Sequence, residues 1–488
     1  MPTRVTWLLG VADLKGRRSH SDSLASTTTR NDRGDARRSL FLLLLASALY
    51  TLVYLFLNYN RFRTYDSGGD FGLFMQSMND PSGLLRNAVE GSHYSAHFSP
   101  IFELFVPITR LTHSMIPVTL AQSLAGGLVS LGLYNIASRM LPVRLALAVS
   151  SVALFYPALA GVIFGDPYEN VFAPAATVWL IASVISRSWS RALVLVFVTL
   201  AIKEDQAVFL IWGSIVSIVY AVRNHDFALR RFAIVTLGLS IFTLFAFIAL
   251  IRPGVEATTP WYALQATFQP AVDDSSRGLG VAGRLGYIAE ILVPLLFLPL
   301  LAPRMLVFGV PALAEVLLPR NSMVWTMGQH YAGVWIGYIL VAMVFGTVTL
   351  HERRLVNPHV IVLSVLAICV ANLALASPTH WSRHVHVYSQ HDRDVDSLLS
   401  YSLPKSQTIG MPDELYAHAW QLIGVERGLT ASPKFALIDK TLNNSALEQQ
   451  MYEQIRSARY GTYDLVWSRS QVALYQRRAY GYRTGFGK

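Results

Sequence analysis

The chain has 488 residues, of which 53% are hydrophobic and only 14% are charged, whereas soluble domains carry about 25% charged residues. This balance, with a mean hydropathy of +0.39, predicts a membrane protein and excludes an ordinary soluble domain. The net charge of +10 does not indicate nucleic-acid binding, because the Lys and Arg residues of membrane proteins gather in cytoplasmic loops. The single cysteine, Cys369, excludes an internal disulfide and is typical of a small core residue.

The chain begins with a basic segment that is rich in Ser and Thr, and residues 1–38 are predicted to form a disordered cytoplasmic tail. Residues 40–58 supply the roughly 20 apolar residues that a helix needs to cross a bilayer. Arg37 and Arg38 precede this segment, so its start is predicted to be cytoplasmic and its end extracytoplasmic. Asp66 and Asp70, which surround a Gly-Gly pair just beyond the segment, then fall on the outer side.

The same charge rule, applied to the later apolar segments, predicts about 11 transmembrane helices. The protein is therefore expected in the plasma membrane as a multi-pass protein, with a cytoplasmic N-terminus and an extracytoplasmic C-terminus. The weakest of the apolar segments are 192–202 and 304–318, which are short. Residues 99–112 could enter the membrane without crossing it.

The composition becomes that of a soluble domain after Ser377. The segments "SQTIGM" and "KFALID" predict strands, "DELYAHAWQLI" predicts a helix, and "YDLVWSRSQVALYQRR" predicts a terminal hairpin. Ser445 and Glu448 have the spacing of a helix capping box. We therefore predict an all-α polytopic membrane domain over 39–378, with an extracytoplasmic loop at 59–99, and a small extracytoplasmic α/β domain over 379–488.

Three consecutive charges, Lys203, Glu204 and Asp205, interrupt the apolar run 192–222. Each charge at bilayer depth costs about 2.5–3.5 kcal/mol, so such groups pair with one another or line a polar cavity. Two interpretations stay open. The triplet is a structural ion pair at a helix break, or it belongs to a site that binds a phosphate or a metal. In the second case Glu204 and Asp205 could hold a divalent cation such as Mg²⁺ or Mn²⁺.

Other polar side chains also fall on the predicted outer side of the membrane, and each has a simpler alternative. They are His93 and His97, spaced four apart; Asp166 and Glu169, in a turn; and His330, at the start of a helix. The alternatives are a plain loop, a solvated turn and a helix cap, and Asp70 could likewise serve as a cap. Taken together with the charged triplet, these residues predict one extracytoplasmic pocket at the membrane boundary.

Several motifs occur in an order that resembles a known family. They are "DFGLFMQSM", "HFSPIFELFVPITRL", "FYPAL…GDPYENVFAP", "AIKEDQAVFLIWG" and "GQHYAGVW". The chain resembles, over roughly residues 40–480, the predicted-membrane-protein family with domain of unknown function 2079, which is grouped with the GT-C integral-membrane glycosyltransferases. It departs from that pattern at Met75, where a second acidic residue is usual. It also departs at Asp166–Glu169, where a His-Pro-Glu motif is usual.

The resemblance implies a GT-C-like fold and a sugar transfer, with inversion, from a polyprenyl-phosphate donor to a hydroxyl of a glycan, lipid or protein acceptor. Asp70 would be the base, with Asp66 in reserve, because such enzymes use an acidic residue of the first outer loop. Lys203 would stabilise the leaving phosphate, helped by His97 or by a divalent cation on Glu204 and Asp205. Gln76 is retained from the same motif.

A transporter or flippase for a lipid-linked sugar or an anionic solute would also explain charged residues that face a cavity. Such a protein would often show inverted repeats or broken helices in matched halves, which the sequence does not indicate. A non-catalytic scaffold in envelope assembly is a third interpretation.

Overall fold

The computed structural model describes residues 30–255, 280–319, 321, 323–354, 356–375, 385–399, 408–420, 425–429, 433–439, 446–457, 462–469 and 471–478. Its contacts divide the chain into two compact units, each built from separate stretches of sequence. The first unit comprises residues 1–56, 94–101 and 116–381, and the second comprises 57–93, 102–115 and 382–488.

Helices make up most of the described structure. The α-helices are α1 (Arg30–Arg63), α2 (Gly69–Asn79), α3 (Val106–Thr112), α4 (Ile116–Ala137), α5 (Val143–Ser151), α6 (Pro157–Ile163), α7 (Ala173–Ile185), α8 (Trp189–Leu200), α9 (Glu204–Arg223), α10 (Phe227–Ala246), α11 (Arg252–Gly254), α12 (Gly280–Leu292), α13 (Pro303–Leu306), α14 (Val310–Leu317), α15 (Gly333–Arg353), α16 (Pro358–Leu375), α17 (Gln390–Ser397), α18 (Asp413–Tyr416) and α19 (Ala446–Arg456). A π-helical turn at Phe247–Ile251 extends α10. Short 3₁₀ turns lie at His93–Ser95, Pro100–Leu104, Val152–Phe155, Glu169–Phe172, Val293–Leu295, Leu298–Leu301, Val307–Gly309 and His330–Ala332.

Helix α1 begins at Arg30, so residues 30–38, which we predicted as part of the disordered tail, are its first turns. The rest of the predicted tail lies outside the described residues.

Six helical segments of the described chain are long and apolar enough to cross a membrane, and a bent pair would make a seventh. The six are Gly34–Arg63, Ile116–Ala137, Glu204–Arg223, Phe227–Gly254, His330–Arg353 and Pro358–Leu375. The bent pair, Val143–Phe155 with Pro157–Ile163, turns by 49°. Apolar helices at Glu169–Ile185 and Trp189–Leu200 are shorter than the roughly 20 residues typical of a membrane span. The larger number of about 11 transmembrane helices therefore stays a prediction.

Proline interrupts one of the apolar segments behind the larger number. Residues 285–302 form an apolar stretch long enough for one span, but α12 ends at Leu292 and two 3₁₀ turns follow. Pro294 and Pro299 lie in those turns, and a proline has no N–H to donate to the helix and clashes with the preceding turn. Hydropathy alone does not detect such breaks, because proline interrupts the helix without adding charge.

The first unit is organised around α15. Its apolar window is 89% buried, whereas the windows of α10 and α16 are only 17% buried. A buried apolar helix forms a core, but an exposed apolar helix such as α10 needs lipid around it. Close packing around α15 depends on small residues: a Cβ on Gly337 would lie 2.8 Å from Thr177 Cβ on α7.

The second unit contains a mixed five-stranded sheet and the short helix α2. The sheet strands are β3 (Ile409–Met411), β4 (Val425–Arg427), β5 (Phe435–Asp439), β6 (Tyr463–Arg469) and β7 (Val472–Arg477), in the order β4-β3-β5-β7-β6. Strand β3 is parallel to both β4 and β5, and β7 is antiparallel to β5 and β6. A separate two-stranded ribbon pairs β1 (Arg86–Asn87) with β2 (Gly91–Ser92).

The predicted strands in "SQTIGM" and "KFALID" are confirmed as β3 and β5, and the predicted hairpin is confirmed as β6 and β7. The helix predicted in "DELYAHAWQLI" is a single turn, Asp413–Tyr416. Ser445 of the predicted capping box lies outside the described residues, and α19 begins directly after it.

Candidate functional site

The charged triplet lies at a helix break in the first unit. Helix α8 ends at Leu200, and α9 begins at Glu204 with Lys203 as its N-cap residue in extended conformation. Glu204 and Asp205 therefore occupy the first turn of α9, where the exposed N–H groups of a helix favour negative charge. The exposed N–H groups at the start of α9 therefore stabilise the two carboxylates at this position.

Lys203 is 6% exposed and lies among carboxylates. Its Nζ is 3.3 Å from Asp205 Oδ2 and 3.7 Å from Glu169 Oε1. It also interacts electrostatically with Glu204 and Glu315. One lysine facing four acidic side chains leaves an excess of negative charge, which protons, cations or polar ligand groups must offset in an apolar surrounding.

Glu204 connects the triplet to the HFSP motif, with His97 as its side-chain partner. The Nδ1 atom of His97 is 3.0 Å from Glu204 Oε1, and the backbone N–H of Phe98 donates to Oε2 at 2.9 Å. The backbone N–H of Ile101 donates to the carbonyl of Ala201 at 2.8 Å. The segment that carries His97 is therefore fixed against the start of α9.

His330 joins the same group of side chains. Its ring stacks on Tyr168 with centroids 3.5 Å apart, and it lies near enough to Lys203 and His97 to interact with both. Asp166, in the same turn as Tyr168, is buried. We call Lys203, Glu169, Glu204, Asp205, Glu315, His97 and His330 the Lys203 cluster.

Several polar atoms at this cluster make no hydrogen bond within the described part of the chain. They are Oδ1 and Nδ2 of Asn170, Oε2 of Glu169 and Oε1 of Gln206. All three residues are buried, and Asn170 and Gln206 are fully so. A buried amide with no partner costs about 1–3 kcal/mol, so this concentration of unmet donors and acceptors indicates a place for polar ligand groups.

An apolar groove lies in the same unit. Side chains of α7, α8, α9, α10 and α15 line it, with Leu180, Leu210 and Phe232 among them. Tyr338 belongs to its wall and interacts electrostatically with Asp205. Tyr338 therefore relates the wall of the groove to the Lys203 cluster, although no member of the cluster lines the groove itself. An apolar groove among helices suits a hydrocarbon chain.

In the second unit, Asp70 lies in the first turn of α2, whose N-cap residue is Gly68. Asp70 is thus not the N-cap residue that one alternative required. Its Oδ1 is 3.4 Å from Nη1 of Arg427, which also donates to Asp413. Both Asp70 and Arg427 are more than a third exposed.

The other predicted residues of the second unit have separate partners. Asp66 lies beside Arg61, with Arg61 Nε 3.7 Å from Oδ2. Gln76 Oε1 accepts a hydrogen bond from the hydroxyl of Tyr416 at 2.6 Å. His93 is buried, and its Nδ1 is 2.9 Å from Oε2 of Glu90.

The second unit also holds titratable groups with shifted pKa values. Burial lowers the pKa of His418 to about 4, although its hydrogen bond to the carbonyl of Phe62 opposes the shift. The His418 ring stacks on Phe62 and on Tyr65, with ring centroids 4.0 and 4.1 Å apart. Burial raises the pKa of Glu414, and the neighbouring charge of Asp413 adds to the increase.

The structure thus brings together Lys203, Glu204, Asp205, His97, Glu169 and His330 in the first unit. Asp70, Asp66, Gln76 and His93 belong to the second unit, so the single pocket predicted for both sets stays a prediction. The proposed divalent site on Glu204 and Asp205 also stays a prediction. Both oxygens of Glu204 already accept hydrogen bonds, and no group of three or more acidic, His or Cys side chains in the described chain could hold a metal ion.

Sequence reasoning missed Glu315, Asn170 and Arg427. Glu315 carried a usable signal, because it is an acidic residue within the apolar segment "PALAEVLLP". Asn170 and Arg427 carried no such sequence signal, since an amide in a turn and an arginine in a soluble domain are both common.

Comparison with known protein families decides the class of the protein. Residues 61–391 match the family described as predicted membrane protein (DUF2079), which is more than half of the chain. The chain belongs to this family. The region matched to DUF2079 includes both Asp70 and the Lys203 cluster, as well as most of the apolar helices. No curated protein matches the chain. DUF2079 membership therefore establishes a membrane protein whose exposed apolar helices contact lipid, and leaves the reaction to physical argument.

Proposed function

We propose that this protein is an integral-membrane glycosyltransferase of the GT-C type. It would move a sugar from a polyprenyl-phosphate donor to an extracytoplasmic hydroxyl of a glycan, lipid or protein acceptor, with inversion at the anomeric carbon. Its topology would be the one predicted from the charges, with about 11 membrane crossings in the plasma membrane, the N-terminus inside and the C-terminus outside.

One observation carries the proposal. Polar atoms of Glu169, Asn170 and Gln206 are buried without a hydrogen-bond partner among the described residues, and Asn170 and Gln206 directly follow Glu169 and Asp205, the ion-pair partners of Lys203. Hydrophobic packing does not explain why such groups are buried. A bound ligand with hydroxyl and phosphate oxygens would explain it, because those oxygens would form the missing hydrogen bonds. The apolar groove of the same unit supports a ligand that also carries a hydrocarbon chain.

In the reaction, a hydroxyl oxygen of the acceptor forms a bond to the anomeric carbon as the bond from that carbon to the phosphate oxygen breaks. Asp70 takes the hydroxyl proton, a contribution of about 10²–10⁴-fold for a positioned general base. The electron pair leaves on the polyprenyl phosphate. Positive charge from Lys203, with His97 and the amide of Asn170 as donors, stabilises the oxygen on which that charge develops.

The test is the transfer of radiolabelled sugar from a panel of polyprenyl-phosphate sugars by the purified protein, separated by chromatography. Wild type should form a glycosidic product, and Asp70→Asn should lower kcat about 10²–10⁴-fold. Asp464→Asn is the matched control, because Asp464 is an exposed aspartate of the β6–β7 hairpin. Undiminished transfer by Asp70→Asn removes Asp70 as the base, and absence of transfer with every donor refutes the activity.

The transporter interpretation also has support, since the acidic side chains around Lys203 outnumber it, as in sites that exchange protons or cations. A transporter for a lipid-linked sugar or an anionic solute would move its substrate across a vesicle membrane without forming a glycosidic bond. Reconstitution into vesicles with a labelled donor in one compartment separates the two functions, because only transport changes the location of an unaltered substrate.

A further inference from the structure

Two glycines bring α2 against the C-terminal sheet domain within the second unit. A Cβ on Gly69 would lie 2.5 Å from Asp413 Oδ1 and 2.8 Å from Arg427 Nε. A Cβ on Gly72 would lie 2.8 Å from the backbone oxygen of Tyr416. At Gly72 the close atom is backbone, so any side chain larger than hydrogen would force α2 away from Tyr416. At Gly69 a larger side chain would displace the Asp413 and Arg427 side chains.

The side chain that reaches Asp70 is Arg427, the last residue of β4. Its Nε and Nη2 donate to the two oxygens of Asp413 at 2.5 and 2.8 Å, which is the fork geometry in which a guanidinium is held most rigidly. The remaining terminal nitrogen, Nη1, lies 3.4 Å from Asp70 Oδ1. Asp413 thus fixes the guanidinium, and the guanidinium in turn faces Asp70.

A second contact holds the same helix six residues further along. The hydroxyl of Tyr416 donates to Gln76 Oε1 at 2.6 Å, and the backbone N–H of Ala88 donates to the same oxygen at 3.0 Å. Helix α2 is therefore attached to the sheet domain at both its first turn and its third. This arrangement fixes the direction of the helix as well as the position of Asp70.

The contact lies at the carboxyl ends of parallel strands. Arg427 ends β4, and Asp413 follows β3 after one residue. Open α/β sheets bind their ligands at this edge, because the loops that leave the strands there present side chains and backbone groups to one space. Asp70 is 39% exposed and Arg427 is 35% exposed, so a ligand in solution can reach both.

We infer that Arg427 is a positioning residue for Asp70, and that the C-terminal α/β domain is a working part of the active site. The inference rests on the proposed function, in which Asp70 is the base. Arg427 holds the Asp70 carboxylate through charge and geometry, and Asp413 holds Arg427. The acceptor hydroxyl is then presented to Asp70 at the carboxyl edge of the sheet.

The expected effect follows from this arrangement. A displacement of about 1 Å in a catalytic group can cost about 10²-fold in rate, so Arg427→Gln should lower kcat by about 10–100-fold. The KM for the donor should change little, since Arg427 acts through Asp70. Arg427→Lys should recover part of the loss, because it keeps the charge but not the fork.

The deciding experiment is a double-mutant cycle on kcat with Arg427→Gln, Asp70→Asn and the double variant. If Arg427 acts through Asp70, its replacement should have almost no further effect once Asp70 is Asn. Arg478→Gln is the matched control, because Arg478 forms an exposed fork with Asp464 in the β6–β7 hairpin. Additive losses, an unchanged kcat in Arg427→Gln, or a faster reaction in that variant would each overturn the inference.

Hydrogen–deuterium exchange of the same variants separates this inference from the proposed function. Arg427→Gln should raise the exchange of α2 amides, and Arg478→Gln should not. If wild type transfers no sugar but α2 exchange rises in Arg427→Gln, the proposed reaction fails and the positioning contact stands. If α2 exchange is unchanged in Arg427→Gln, the positioning role is refuted whether or not the protein transfers sugar.

Discussion

Glu204→Gln tests the contact at the centre of the first unit. Glu204 is 1% exposed, and its two oxygens take hydrogen bonds from His97 and from the backbone of Phe98. Glutamine keeps one carbonyl acceptor for the Phe98 N–H, and its NH₂ group then faces Nδ1 of His97, which donates to Glu204 in the protonated-Nδ1 tautomer. One charge-assisted hydrogen bond, of about 1.5–3 kcal/mol, is lost, and the other becomes a neutral bond of about 0.5–1.5 kcal/mol, a further loss of about 1–1.5 kcal/mol. The expected destabilisation is therefore about 2.5–4.5 kcal/mol.

Thermal unfolding in detergent, followed by intrinsic fluorescence, measures this loss. At about 2 °C per kcal/mol, the unfolding midpoint of Glu204→Gln should fall by about 5–9 °C. Glu352→Gln is the control, because Glu352 is an exposed residue of the last turn of α15. A midpoint for Glu204→Gln that falls no further than that of Glu352→Gln would refute the assignment of both hydrogen bonds.

Three further outcomes follow from the structure. Because the pKa of His418 is lower in the folded protein than in the unfolded chain, the unfolded chain takes up a proton at a higher pH. The free energy of unfolding should therefore fall as the pH drops from about 6.5 to about 4, by up to about 3 kcal/mol. His418→Gln should remove that part of the pH dependence of the unfolding midpoint, and an unchanged slope would contradict it. Gly72→Val should destabilise the second unit by about 1–3 kcal/mol, because its side chain meets the backbone of Tyr416. Gly238→Ala, which has open space around it, should not. Cys369 is fully buried, so a maleimide should label the protein only after unfolding. Equally fast labelling of the native protein would contradict the buried position of Cys369 in α16.

The charged triplet shows how far local sequence can be interpreted. Three charges in an apolar run predict a polar site because of their cost in a membrane. The triplet does not indicate its partners, since Glu204 meets His97 at a separation of 107 residues. Hydropathy is a property of neighbouring residues, whereas an ion pair depends on which distant segments the fold brings together.

The "GGDFG" sequence gives a second example. Locally it is typical of a loop followed by a helix, and α2 does begin there. Its glycines have a different reason, which is the approach of Asp413, Arg427 and Tyr416. Arg427 and Asp70 are 357 residues apart, so no pattern within either segment could have paired them.

The sequence by itself determined the membrane class, the main apolar segments, the terminal hairpin and the position of the costly charges. Each of these follows from hydrophobicity, turn chemistry or charge within a short window of chain. Tertiary structure alone decided where proline-broken segments stop being single spans, which carboxylates surround Lys203, and which arginine faces Asp70. These depend on packing between distant segments, because the free energy of burying a charge is set by the groups that surround it in space.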